Sequence, residues 1–318
     1  MNQLADNDDG MSVARQILPG TTYLVTRRVT QRLFLLKPSA ESVQVMLYCI
    51  HRAAQLYNVE IHSVQVPDNH AHITLTDREG RLPEFMAWVN REVAKCMNKL
   101  YKRSENFWCS GVYSAVQLLD AESVLDKSVY LFVNVVQALL VRDFRDWRGV
   151  RSTPEDWVKP PTVVKRPAIH FNQDDERWAE VECRYTVPPQ FRDRAVEDFA
   201  REMNASIKTR QGQIVAEAKR NGKAFIGVDR LAKLNPFDKP KSKARMGKLN
   251  PRFAAGTSEG QRLGRAMLKA FRVGYREALG KWRNGQACVF PAGTYWLAKF
   301  VKVCCAPLST AIPVLDTA

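Results

Sequence analysis

The chain has 318 residues, 45% hydrophobic and 25% charged, which is the mix of an ordinary globular protein. That excludes wholesale disorder, a collagen-like fibre and a membrane bundle, and the length suits one main domain with one or two smaller units. Lys and Arg number 48 against 33 Asp and Glu, a formal charge of +15, so a polyanionic partner is expected, either nucleic acid or an anionic membrane surface. No apolar run reaches the ~18 residues of a membrane span. The opening MNQLADNDDG lacks the basic and apolar regions of a signal peptide. No basic amphipathic helix is obvious either, so the expectation is DNA or RNA and no membrane. The cysteines are odd in number and show no C-x-x-C spacing, as suits reduced thiols in a cytoplasmic protein.

Residues 1–14 read as a disordered acidic tail. Tyr23 to Thr30 is a strand carrying arginines. Ser39 caps a helix running to about Tyr57, with Val43, Met46, Leu47, Ile50 and Ala54 on one face. Val59 to Val66 alternates as a strand, Pro67-Asp68-Asn69 turns, and His70 to Thr76 alternates again. Leu82 to about Tyr101 is a second amphipathic helix, Val112 to Leu119 a fourth strand, and Glu122 to Leu140 a third helix. That last helix is apolar nearly all round from Val129 and therefore buried. The order β-α-β-β-α-β plus a helix predicts an α+β fold with a ferredoxin-like split βαβ core, an antiparallel sheet carrying helices.

Beyond Trp147 the texture changes, and prolines 154, 160, 161 and 167 suggest a linker over 149–190. A helix follows through Phe191, Val196, Phe199 and Met203. Lys208–Arg252 holds 13 Lys or Arg and three acids, net +10. Ser258 with Gln261 reads as a capping box opening a helix to about Leu279, and Val289–Val303 as a hairpin turning at Pro291-Ala292-Gly293. The expected division is a catalytic domain over 15–148, the linker, and a basic, partly helical C-terminal extension over 191–318.

Neither nucleotide-cradling glycine loop is present, nor is G-x-S-x-G or H-E-x-x-H. What remains is His70-Ala71-His72. On a strand these imidazoles share one face, a natural pair of metal ligands, although a polar stripe opposite Ile73 and Leu75 would look the same. In the buried third helix Tyr130 and Asn134 stand four apart on one face. Asn134 lies among valines and must find polar partners there, and a tyrosine in the place of Tyr130 is more commonly a core residue with its hydroxyl bonded. Arg27, Arg28 and Arg32 lie on or beside the first strand. Phe107, Trp108 and Tyr113 are aromatics available for base stacking or for core packing.

Here VPDNHAHITLT resembles the metal-binding strand of the single-tyrosine HUH transposases, the REP-associated tyrosine transposase group in particular, and the resemblance is what marks residues 15–148 as a catalytic domain. VYLFVNVVQALLV is similar to that family's nucleophile helix, LPGTTYLVTRRVTQRLFLL to its first strand and basic turn, and ENFWCSGVYSAV to the segment before its last core strand. PFDKPKSKARMGKLNPRFAA and ACVFPAGTYWL resemble the extension of a longer transposase-like subgroup. Two positions depart from the pattern: Ala71 stands where a bulky apolar residue is usual, and Pro67-Asp68 where Met-Pro is usual. The resemblance implies His70, His72 and Asn134 as ligands of Mg²⁺ or Mn²⁺ and Tyr130 as the nucleophile. Its implied substrate is single-stranded hairpin DNA, cut and rejoined through a 5′-phosphotyrosine. Arg27, Arg28, Arg32, Phe107 and Trp108 would contact the DNA, with Lys239, Lys241, Lys243 and Arg245 from the basic run, and a homodimer is compatible with the sequence.

Such strand transfer stores the bond energy in the phosphotyrosine, so the missing nucleotide loop is consistent. A phenol of pKa about 10 is about 0.1% ionised at pH 7, and a divalent cation offsets that cost at the phosphate. Three other readings compete: a catalytically relict DNA-binding regulator of the same fold, a relaxase or replication initiator, and an RNA-associated basic protein. No helicase segment or second tyrosine motif supports the relaxase.

Overall fold

The computed structural model describes residues 14–111, 113–242 and 251–310. They fall into two compact units, one spanning Pro19–Gln261 and the other joining the stretch up to Leu18 with Arg262 onward.

The first unit is built on a sheet of strand order β2-β3-β1-β4-β7. Its strands are β1 (Thr21–Arg28), β2 (Val59–Gln65), β3 (His70–Asp77), β4 (Ser114–Leu118) and the short β7 (Phe253–Ala254). β1 pairs antiparallel with β3 and β4, and β2 antiparallel with β3. This is the expected ferredoxin-like order, with β7 added parallel to β4. Helix α1 (Ala40–Tyr57) starts where Ser39 and Ser42 exchange hydroxyl-to-backbone hydrogen bonds at 3.0 and 3.1 Å. It stops at Asn58 in the left-handed conformation. α2 (Leu82–Leu100) and α3 (Ala121–Gln137) follow as the sequence predicts.

Alternation along the strands separates two cores. Tyr23, Val25, Ala71, Ile73 and Leu75 pack with α1 and α2, whereas Leu24, Val116 and Leu118 pack with α3. The α3 side of β3 is polar: His70, His72, Thr74 and Thr76. Its inner members pair across strands, with Thr74 on Ser63, and Thr76 on both Thr22 at 2.9 Å and His62 Nε2 at 2.7 Å. Paired in this way they are buried without the penalty of a lone hydroxyl.

Residues 149–190 pack onto the sheet, despite the prolines that suggest a linker. The Ser152 hydroxyl accepts from Val64 N at 2.9 Å, and the indoles of Trp147 and Trp157 donate to the carbonyls of Val66 and His62. A hairpin of β5 (Thr162–Lys165) and β6 (Glu180–Cys183) lies on α1. The two tryptophans supply the apolar area that a tether would lack. Helix α4 (Val196–Arg220) continues well past Met203, because Ile207, Ile214 and Ala218 prolong its buried stripe beside α3. It takes up the first part of the basic run, and the short α5 (Val228–Ala232) follows.

In the second unit the long helix is α6 (Ser258–Arg283). Its cap is Thr257 and not Ser258: the Thr257 hydroxyl accepts from Gly260 N at 2.9 Å. The hairpin expected over 289–303 is not formed. Phe290 bridges Cys305 in parallel, and Leu297–Val301 makes a π-helical turn. The chain does turn at Pro291, whose carbonyl accepts from Thr294 N and from its hydroxyl. Among the described residues no helix is long and apolar enough to cross a membrane.

Candidate active site

β3 and α3 bring four side chains together. The His70 and His72 rings meet edge-on with centroids 4.7 Å apart, and the Tyr130 ring lies 5.7 Å from that of His72. His70 Nε2 stands 3.1 Å from Asn134 Oδ1, and Asn134 Nδ2 donates to Tyr130 Oη at 3.4 Å. Tyr130 is 42% exposed, while Asn134 one turn on is buried at 6%. The nucleophile candidate therefore faces solvent, whereas His72 and Asn134 are buried and His70 is half-buried.

Burial pushes the His70 imidazole down to about 4. The Asn134 oxygen, which would accept from the protonated ring, opposes that shift, and Arg28 and Arg32 nearby add to it. Burial, then the neighbouring His70, holds His72 well below its ordinary value. Both rings are thus neutral at pH 7, and each has one ring nitrogen without a proton. Nδ1 of His72 meets the Thr26 hydroxyl at 2.8 Å, and Nδ1 of His70 meets Asn69 Oδ1 at 2.7 Å. Asn69 offers an oxygen, so His70 Nδ1 carries the hydrogen and Nε2 is left bare. The buried Nε2 of His72 has no hydrogen-bond partner among the described residues.

These atoms fit a divalent cation. A bare His70 nitrogen facing an amide oxygen at 3.1 Å places two lone pairs against each other with no proton between them. Neighbouring ligands of an octahedral ion with bonds of 2.0–2.1 Å are likewise about 3 Å apart. The unpartnered His72 nitrogen supplies a third donor. No group of three His, Cys, Asp or Glu is found among the described residues, so a third ligand here would have to be an amide oxygen such as Asn134 Oδ1.

Sequence reasoning missed three neighbours. Thr26 and Asn69 fix the imidazole orientations, the usual task of groups behind metal-binding histidines. Gln65 lies opposite His72 on β2, fully buried, with neither amide atom bonded among the described residues. Asn69 was within reach, directly before His70. Thr26 and Gln65 depend on strand register.

The basic candidates divide. Arg32 donates to the Ser242 carbonyl at 2.6 Å and to its hydroxyl at 3.0 Å, and Phe34 N donates to the Asp238 carbonyl. The exposed Lys239 and Lys241 are thereby carried to the basic turn after β1, the turn whose Arg32 acts on His70. Arg28 is exposed, and Arg27 donates to the Gly111 carbonyl at 2.9 Å. Lys243 and Arg245 lie outside the described residues. Phe107 and Trp108 are not stacking platforms: both are buried, 4.8 Å apart edge to face, and the Trp108 indole donates to the Asn90 carbonyl. Their hydrophobic area is used in the α1/α2 core.

No family model and no curated protein sequence matches the chain. Its structure is similar to that of a REP-associated tyrosine transposase solved bound to a REP hairpin, with 18% identity and a TM-score of 0.38 over 44% of this chain and 81% of that one. It is also similar to a candidate transposase of Deinococcus radiodurans R1, with 15% identity and a TM-score of 0.28 over 38% of this chain and 95% of that one.

Proposed function

We propose that the chain cleaves and rejoins single-stranded DNA, with Tyr130 as the nucleophile. The observation that carries this reading is the convergence of His70, His72, Asn134 and the exposed Tyr130 from two elements about 60 residues apart in sequence. His70 Nε2, His72 Nε2 and Asn134 Oδ1 would hold Mg²⁺ or Mn²⁺. When bound, such an ion polarises a phosphate oxygen and offsets charge developing at phosphorus.

The chain's own residues do the rest. The α3 backbone and the Asn134 amide hold the Tyr130 oxygen at the rim of the imidazole pair. Donation from Asn134 Nδ2 engages that oxygen as an acceptor and helps fix its position. The phenolic proton leaves to solvent across the exposed edge. The phenolate attacks phosphorus, the P–O3′ bond breaks, and the released 3′ oxygen takes a proton from water. The 5′-phosphate remains on Tyr130 as a diester, and a second 3′-OH reverses these steps to join strands. Arg28, Arg32, Lys239 and Lys241 supply the positive rim for the strand's phosphates, so binding weakens steeply with salt.

The test is incubation of the full chain with hairpin-bearing single-stranded DNA and Mn²⁺, looking for a denaturant-resistant adduct mapped to Tyr130 by mass spectrometry. Tyr130→Phe should abolish the adduct and leave binding within about twofold, since an exposed hydroxyl contributes little to folding. An adduct that persists in Tyr130→Phe, or never forms in the parent, refutes the reading. Binding without any adduct would instead assign the chain to DNA regulation.

A further inference from the structure

We propose that the unit containing Arg262 onward carries its own binding site for unpaired DNA bases, formed by Trp296 and Phe300. These side chains are four residues apart across the π-helical turn, and their rings stack at 4.8 Å with planes 22° apart. They are 64% and 62% exposed. Two large aromatics held parallel at the surface bury little area for the fold, and they present the flat apolar face on which a nucleobase stacks. Val301, next to Phe300 in sequence, is exposed as well.

The surrounding charge selects the occupant. Residues 262–310 contain nine Lys or Arg and one acid, Glu277. The Lys299 ammonium lies 5.4 Å from the Tyr295 ring and 5.9 Å from Phe300, and it donates to the Tyr295 hydroxyl at 3.1 Å. Lys302 is exposed one turn on. A second copy of this chain would bring like charge against like, and an acidic protein offers no reason for parallel rings. A single-stranded polyanion with accessible bases satisfies both features, whereas a duplex keeps its bases in its own stack. The choice of DNA over RNA rests on the function proposed above; the stacking site itself does not.

The experiment uses the full chain in metal-free buffer, so cleavage is not read. Binding of a labelled 20-mer of thymidines is compared with that of an abasic 20-mer of equal charge, at fixed salt, by fluorescence anisotropy. The parent should prefer the thymidine strand at least about fivefold. The double variant Trp296→Ala, Phe300→Ala should lose about 5- to 150-fold for each base it no longer stacks. Its affinity for the abasic strand and its salt dependence should be unchanged. Trp296→Phe keeps a ring and should retain most of the preference, which guards against a folding defect. Equal binding of both strands by the parent overturns the site, as does a double variant that still discriminates. A tighter grip on uridine RNA by tenfold or more overturns the DNA assignment. A change in oligomeric state without loss of base preference would mark the rings as a self-association surface and refute the proposal.

Discussion

Replacing Asn134 by alanine separates the fold from the cation site. In the folded protein its Oδ1 faces His70 Nε2 at 3.1 Å and its Nδ2 donates to Tyr130 at 3.4 Å. Truncation removes the donation to Tyr130, a hydrogen bond worth about 0.5–1.5 kcal/mol. It also relieves the lone-pair contact with His70 Nε2 and the desolvation of the amide itself, so the net loss should be at most about 1 kcal/mol. In a protein of this size that lowers Tm by at most about 2–4 °C. The effect on a divalent cation is larger. Losing a group behind the ligands typically costs 10- to 100-fold in affinity, so loss of a ligand oxygen should cost about 100-fold or more. Asn134→Asp keeps the shape and adds a charge beside two neutral imidazoles, and it should tighten Mn²⁺ binding. Manganese titration followed by electron paramagnetic resonance reads the affinity, and a thermal melt reads the stability. If Asn134→Ala binds Mn²⁺ as tightly as the parent while His70→Ala does not, the amide is no ligand. If neither variant loses affinity, the cation site is wrong.

Acid should unfold the chain early. Burial pushes His51 down to about 3 and His62 down to about 4, whereas in the unfolded chain both titrate near 6.5. Between those values the unfolded state binds more protons. The stability these groups contribute is full above pH 6.5 and is lost as pH falls, by about 2 kcal/mol each at pH 5. Urea melts at pH 7, 6 and 5 check this, and a midpoint flat across that range contradicts it. Asp120 is pushed down to about 2: burial opposes ionisation, but the backbone donors of Gly256, Ser123 and Thr257 outweigh it. It caps α3 and also accepts from the Thr257 hydroxyl, so Asp120→Ala should lose about 2 kcal/mol, the upper end for one cap, measured by denaturant titration. Arg32→Ala removes a rim charge and the tie to Ser242. It should weaken single-strand binding similarly for all sequences and reduce the salt slope by about 1, as anisotropy across a salt series would show.

What the sequence revealed and what it hid differ in range of interaction. The seven core elements, β1 to β4 and α1 to α3, announce themselves locally, through alternation, the Ser39 cap and the apolar periodicity of the helices. The four site residues were legible for the same reason, since a spacing of two on a strand and of four on a helix fixes which side chains share a face. Which face becomes the site is another matter. His72 and Gln65 oppose each other only because β2 shifts register between Ile61 and Ser63; without that shift Gln65 would turn to the α1/α2 side. Arg32 and Ser242 are 210 residues apart, and no local pattern pairs them. Phe107 and Trp108 show the converse error, because an aromatic that stacks on DNA and one that fills a core have the same local signature. The same ambiguity explains how prolines concealed the packing of residues 149–190, where Trp157, with Trp147 just before the segment, anchors the chain through indole hydrogen bonds to His62 of β2 and to Val66 directly after it. β2 therefore has a double task. Its edge is closed by the segment after α3, with Gln65 bridging Arg151, and its face supplies a buried amide beside His72. A strand sealed along its edge is held against slipping, and on that register the placing of Gln65 beside the imidazole pair depends.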